Sequence, residues 1–113
     1  MRLEAKTYLR DIAEACRCIE EETASVEERQ FASDRVLRAA VERWFTIVGE
    51  AGARLMRLEP ALERDLPDLR RAIGFRNVIM HKYDELDPVI VWQATREDIR
   101  KLRSEEERLL GSS

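Results

Sequence analysis

From Arg35 to Glu59 the chain carries no proline, and Val36, Leu37, Ala40, Val41, Trp44, Ile47, Val48, Ala51, Leu55 and Leu58 recur at intervals of three and four. That period belongs to one face of an α-helix and not to a strand. It predicts a single long helix that ends before Pro60, because a proline pushes the residue ahead of it out of the helical region. Gly49 and Gly52 lie inside this run, each costing up to about 1 kcal/mol relative to alanine. Their presence predicts a close crossing with the backbone of another helix. The whole chain has 113 residues, four glycines and three prolines, with 44% hydrophobic and 38% charged residues. Such a composition favours amphipathic helices in one domain over any sheet architecture.

Similar patterns flank the long helix. Leu3, Tyr8, Ile12, Ala15, Cys16 and Ile19 predict a first helix over residues 3–22 with one apolar stripe. Ser25 and Glu28 fit a capping box that opens a short helical turn, and Ser33-Asp34 offers a second cap just before Arg35. Pro67 suits the first position of a third main helix, through Leu69, Ile73, Val78 and Met80 to His81 or Tyr83. Asp87-Pro88 gives a cap followed by proline, opening a fourth main helix through Val89, Val91, Trp92, Ile99, Leu102 and Leu109. Gly111 to Ser113 reads as a frayed tail. Four main helices joined by short connections predict an all-α, up-and-down bundle over residues 1–113.

Several function classes are disfavoured at this level. The formal net charge is -3, so any polyanion site has to be a local patch. No apolar run approaches the roughly 20 residues that span a bilayer, and Met1 to Asp11 lacks the apolar core of a signal peptide, which points to the cytoplasm. Cys16 and Cys18 fall about 200° apart around a helix and cannot bridge each other. With one histidine there is no zinc-ligand pattern, and no metal or other cofactor is expected. Glu20 to Glu22 and Glu105 to Glu107 read as solvated faces. Trp44, Phe45 and Trp92, at helical spacing among aliphatics, read as core.

The segment from Asp68 to Tyr83 differs from its surroundings. Arg70, Arg71, Arg76 and Lys82 set against Asp68 give a local excess of positive charge that a phosphate would feel. Toward the end of this helix stands His81, the only histidine of the chain, with Arg76 five positions before it and Tyr83 two after it. An imidazole titrating near neutrality with a guanidinium in reach is minimum equipment for acid/base chemistry on a phosphodiester. Asn77 and His81, four apart, stack on one helix face, whereas Arg76 lies about 140° around from His81. Either the long arginine stem wraps part of that distance or a second copy of the chain supplies the missing group. The bland reading is a histidine suited to the helix dipole and an arginine in an ordinary ion pair. Glu50 either takes a cationic partner from the third main helix or faces outward.

Taken together, Arg76-Asn77, His81 and Tyr83 resemble the R-x4-H-x-Y signature of the HepT-like toxins, a branch of the HEPN superfamily of ribonucleases. Ile47-Val48-Gly49-Glu50-Ala51 is similar to that family's I-I-G-E-A stretch, Gly74-Phe75-Arg76-Asn77 to its G-[LM]-R-N, and Asp87 through Val91-Trp92 to its D-x-x-x-V-W. The resemblance runs from about Leu3 to Leu110. Pro67-Asp68 and Tyr83-Asp84 depart from the Pro-Trp and Tyr-aromatic pairs that family members often carry.

The resemblance implies a homodimeric, metal-independent endoribonuclease, the toxin of a type VII-like toxin-antitoxin pair. Arg76, His81 and Asn77 would be catalytic and Glu50 a possible support. Tyr83 would accept AMP from a partner minimal nucleotidyltransferase, the antitoxin, and so be silenced; on the bland reading Tyr83 is a packing aromatic. The rival expectation is a non-catalytic bundle that only docks to the nucleotidyltransferase. RNA substrate, antitoxin and a second copy are the partners implied.

Overall fold

The computed structural model describes residues 1–82 and 84–112, the side chain of Ser112 excepted. Five α-helices follow one another: α1 (Leu3–Thr23), α2 (Glu28–Ser33), α3 (Arg35–Leu58), α4 (Pro67–His81) and α5 (Pro88–Ser112), with a 3-10 turn at Pro60–Arg64 between α3 and α4. No strand occurs among the described residues. The molecule measures 42 × 28 × 19 Å, its long dimension set by helices of 24 and 25 residues. α1 packs along α3 and α5, and α3 also packs along α4. α4 and α5 touch each other far less, leaving a groove between them.

The ends of the helices follow from capping chemistry. Asp34 accepts the Leu37 N–H at 3.0 Å and opens α3, and Asp87 accepts the Val89 N–H at 2.9 Å and opens α5. Pro67 and Pro88 take first-turn positions, where a missing N–H costs nothing. The capping box of α2 is built two residues later than the sequence pattern suggested: Glu27 is the cap and the Gln30 side chain accepts its N–H at 2.9 Å. Ser25 and Glu28 do not form it. Gly111 is helical, so α5 outruns the tail that glycine and serine had suggested. The C-terminal end of α1 has no glycine cap; Arg96 of α5 instead donates to the carbonyls of Thr23 at 2.5 Å and Val26 at 2.9 Å while its guanidinium stacks 4.2 Å above the Trp92 ring.

The core joins Leu9, Ile12, Cys16 and Ile19 of α1 to Val41, Phe45, Val48 and Leu55 of α3 and to Val91, Ile99 and Leu102 of α5. Phe45 meets Phe75 edge to face at 5.0 Å, and Trp92 tilts against buried Phe31 at 5.2 Å. Phe45 is core as expected, and Trp44 and Trp92 are half-buried against it. The α1 stripe holds from Ile12 through Ala15, Cys16 and Ile19, all buried, but shifts in the first turns, where Ala5 and Leu9 are buried, Leu3 is 75% exposed and Tyr8 half-buried. α1 lies between two helices, so its buried arc is wider and differently centred than a one-sided stripe.

The Glu105 to Glu107 run is not a solvated face. Glu106 is fully buried with both carboxylate oxygens lacking a hydrogen-bond partner, and only Glu107 points outward, where Arg103 holds it at 3.0 Å. Burial, with the charge of Glu105 second, pushes the Glu106 carboxyl up to about 8. Glu105 is raised to about 7, again by burial first and by Asp68 second. Glu20 likewise leaves the solvated-face reading, since Arg103 donates to it at 2.5 Å across the α1–α5 seam. Cys16 and Cys18 are free thiols; burial and then the Glu106 charge raise the Cys16 thiol, which therefore stays protonated and unreactive.

Candidate active site

α4 carries the candidate residues, and its placement on α3 is set by two glycines. A Cβ added at Gly49 would stand 2.4 Å from the Arg76 Cβ, and one at Gly52 2.6 Å from a Leu69 methyl. The expected close crossing is therefore present, though what fills it is the roots of α4 side chains and not a bare backbone. Leu69, Ile73 and Arg76 lie along one stripe of α4, so Arg76 is the third member of the row that faces α3.

This packing decides the posture of Arg76. Its stem runs over Gly49, and its guanidinium turns to the neighbouring Asn77, donating to Oδ1 from Nη2 at 2.9 Å and from Nε at 3.2 Å. No carboxylate of the described residues forms an ion pair with it. The ordinary ion pair of the bland reading is absent at Arg76, and the five guanidinium donors keep free capacity for an anion. Glu50, one residue from Gly49, is half-buried and pairs with neither Arg76 nor His81.

His81 is the last residue of α4 and is exposed; Lys82 closes the helix by donating its N–H to the Val78 carbonyl at 2.9 Å. Asn77 and His81 share an exposed face without a hydrogen bond between them. The structure thus joins Arg76 to Asn77 by hydrogen bonds and leaves His81, on the face that Asn77 shares, without a bond to either. Tyr83 lies outside the described residues.

The positive patch is smaller than its sequence count. Arg70 is taken up by Glu63, which accepts from its Nε at 2.7 Å, and Arg71 is 3.6 Å from Asp98 of α5. Arg76 and Lys82 remain without a carboxylate partner among the described residues, and they flank His81 in sequence. Of the four cations of this segment, the two left without a described carboxylate partner are thus the two nearest His81.

A cleft of about 350 Å³ lies elsewhere, between α4 and α5, lined by Phe75, Val78, Ile90, Ala94, Ile99 and Leu102 among others, with the Arg71–Asp98 pair beside it. It takes the α4 face that carries Phe75 and Val78, and neither Arg76 nor His81 lines it. Among the described residues no three His, Cys, Asp or Glu side chains converge as a metal-binding group. No helix of the described residues is long and apolar enough to cross a membrane.

Residues 12–109 match the family model described as "Ribonuclease HepT-like". The chain belongs to the HepT-like ribonuclease family. The match covers α3 and α4 entire, so Gly49, Arg76, Asn77 and His81 all fall within the HepT-like region. Among curated proteins the chain is similar to "Probable ribonuclease HepT" of Thermococcus cleftensis, 33% identical over 96% of this chain and 98% of that one. It is also similar to "Putative RNase MJ1380" of Methanocaldococcus jannaschii, 28% identical over 92% of this chain and 94% of the relative. No solved structure matches.

Arg103 and Arg96, which tie α5 to α1, and buried Glu106 escaped the sequence reading. Glu106 did leave a signal, since it continues the row of Ile99 and Leu102 at spacings of three and four. The long-range ties of the two arginines left none, because Thr23, Val26 and Glu20 lie 70 or more residues away in sequence.

Proposed function

We propose that this chain is the toxin ribonuclease of a toxin-antitoxin pair, a cytoplasmic homodimer that cleaves RNA internally and without a metal ion. The observation that carries the reading is the Arg76 guanidinium, engaged by Asn77 and by no described carboxylate, on the same helix that ends in exposed His81. The matched relatives whose names include ribonuclease support the substrate class.

The chemistry needs little beyond these groups, because RNA carries its own nucleophile. His81 takes the proton from the 2'-hydroxyl, the 2'-oxygen forms a bond to phosphorus, and Arg76 holds the nonbridging oxygens on which negative charge builds. The bond from phosphorus to the 5'-oxygen then breaks, with an imidazolium returning the proton to that oxygen. The products are a 2',3'-cyclic phosphate and a 5'-hydroxyl. Asn77 orients the guanidinium through its Oδ1. Glu50, half-buried on the helix that backs Arg76, remains a supporting carboxylate, and since it pairs with neither Arg76 nor His81 within one copy, that support would be given across the two-fold axis of the homodimer. Because Arg76 and His81 leave α4 in different directions, a second copy placed across a two-fold axis completes the site.

Silencing is assigned to Tyr83. A cognate minimal nucleotidyltransferase transfers AMP to its phenol, forming a tyrosyl phosphodiester, while the rest of the nucleoside triphosphate leaves. One adenylate adds negative charge and a purine two residues from His81, which opposes RNA both electrostatically and sterically.

The test is cleavage of total RNA by the purified, unmodified protein in excess EDTA, beside Arg76→Ala and His81→Ala, with end-group analysis of the products. Loss of cleavage in both variants, with parental products ending in cyclic phosphate, is the expected outcome. Unchanged cleavage in both variants would remove these residues from the mechanism. A folded, unmodified parent that cleaves nothing would leave a docking bundle for the nucleotidyltransferase as the better reading. Tyr83→Phe should cleave as the parent does yet escape silencing by the nucleotidyltransferase and its nucleotide.

A further inference from the structure

The two glycines of the α3–α4 crossing differ in what stands opposite them. At Gly52 the nearest atom to an added Cβ is a Leu69 methyl at 2.6 Å, followed by Leu69 Cγ at 3.2 Å and Ile73 Cγ1 at 3.3 Å. A leucine methyl sits at the far end of a rotatable side chain and can swing aside. At Gly49 the nearest atoms are three successive carbons of one residue: Arg76 Cβ at 2.4 Å, Cδ at 2.9 Å and Cγ at 3.0 Å. The Cβ is fixed to the α4 backbone and cannot yield by rotation. A side chain at position 49 would therefore have to push α4 away at Arg76 or evict the arginine stem from the surface of α3.

We infer that Gly49 is a positioning residue for the ribonuclease reaction: the bare α3 backbone there forms a track that seats the Arg76 stem and so aims its guanidinium. This inference rests on the reading of Arg76 as the phosphate clamp. The stem is seated along three carbons on one side, and the head is held by Asn77 Oδ1 on the other, at 2.9 and 3.2 Å. An arginine free in water samples many rotamers, and a clamp acts on a transition state only to the extent that it is already aimed. The track performs that ordering without a hydrogen bond and without the ion pair that would neutralise the guanidinium. It explains why glycine, which costs about 1 kcal/mol in a helix interior, stands at a position where alanine would otherwise stabilise α3. Gly52 performs no such task, since what it accommodates is an apolar contact with Leu69 and Ile73, and no atom of Arg76 stands among its nearest neighbours.

The test compares Gly49→Ala with Gly52→Ala and Arg76→Ala in steady-state RNA cleavage. Thermal melting of each protein is followed alongside, together with the 15N relaxation of the Arg76 Nε–H. A displacement of about 1 Å at a positioned group can cost about 100-fold in rate. Gly49→Ala should therefore remain folded and lose about 10- to 100-fold in kcat, with KM within about threefold and the pH profile unchanged in shape. Its Arg76 Nε–H should become as mobile as a surface arginine's. Gly52→Ala should lower the melting temperature while kcat stays within about threefold and Arg76 remains ordered. A folded Gly49→Ala with parental kcat, beside an inactive Arg76→Ala, would overturn the positioning role and leave the ribonuclease reading standing. Undiminished cleavage by Arg76→Ala would overturn the reading itself. Should Gly49→Ala fail to fold, Asn77→Ala decides: the track predicts an Arg76 Nε–H still ordered without its hydrogen-bond partner, and a freely mobile one would overturn the proposal.

Discussion

Glu106 offers the sharpest test of how this bundle is held together, because its carboxyl is fully buried between α5 and α1 without a hydrogen-bond partner. Burial, reinforced by Glu105, raises it from an ordinary 4.5 to about 8. Below about pH 4.5 the group is protonated in both the folded and the unfolded chain. Between there and about pH 8 only the unfolded chain releases the proton, so each pH unit favours unfolding by about 1.4 kcal/mol. Above about pH 8 both states are ionised and the loss is complete, at about 5 kcal/mol in all. Glu106→Leu removes this dependence and fills the site with apolar atoms, so it should be more stable than the parent at pH 8 by about 3 to 5 kcal/mol. At pH 5 the two should be close. For a domain of 113 residues that gain corresponds to about 10 to 20 °C in Tm. Urea denaturation of both proteins from pH 5 to 9, at one protomer concentration, measures it. Glu105 carries its own upward shift, owed to burial and Asp68, and keeps it in the variant. The difference between the two curves therefore isolates Glu106. Parallel stability curves across pH 5 to 8 would refute the reasoning.

Three further outcomes can be checked by thermal or urea denaturation. Arg96→Ala should cost about 1 to 2 kcal/mol, since it removes two bonds to the carbonyls that end α1 and the stack on Trp92; an unchanged Tm would show that water replaces them. Arg103→Met keeps the stem and loses the charge between Glu20 and Glu107, and should cost about 1 kcal/mol, less at high salt. Asp34→Ala should cost about 1 kcal/mol by removing the cap of α3, with Asp34→Asn close to the parent; equal losses in both variants would mean that the charge, and not the cap, matters.

The helices were legible because the information is local. Apolar spacing within one turn, prolines at 60, 67 and 88, and acceptors at Asp34 and Asp87 act over four residues or fewer, so α1, α3, α4 and α5 fall where the pattern puts them. Which arc of each helix is buried is a different matter, because it depends on how many neighbours a helix has. Leu3 was assigned to the α1 stripe and is exposed, while Ala5 is buried. Val78 and Met80 were assigned to the apolar pattern of α4, yet they are 41% and 54% exposed. Three consecutive glutamates span about 200° of a helix, so on a helix packed along one side the middle one can enter the core while its neighbour stays outside. A charge run alone therefore says little about solvation, whereas its register against Ile99 and Leu102 says a great deal.

The candidate site divides along the same line. Arg76, Asn77 and His81 could be named from residue type and spacing, since four residues on a helix fix which side chains share a face. Their separation could be read too, at about 140° between Arg76 and His81. What spacing could not supply is the reason Arg76 points where it does. Gly49 precedes it by 27 positions, on another helix, and the sequence shows only that something must come close there. Joined in three dimensions, the two observations account for each other: the glycine that weakens α3 is the space in which the arginine of α4 lies. On the proposed reading of Arg76 as a phosphate clamp, a cation buried against its scaffold by a carboxylate would be aimed but neutralised, and one left on the surface would be charged but unaimed. Seating the Arg76 stem against Gly49, with the neutral amide of Asn77 at its head, would under that proposal give direction while leaving the charge for phosphate.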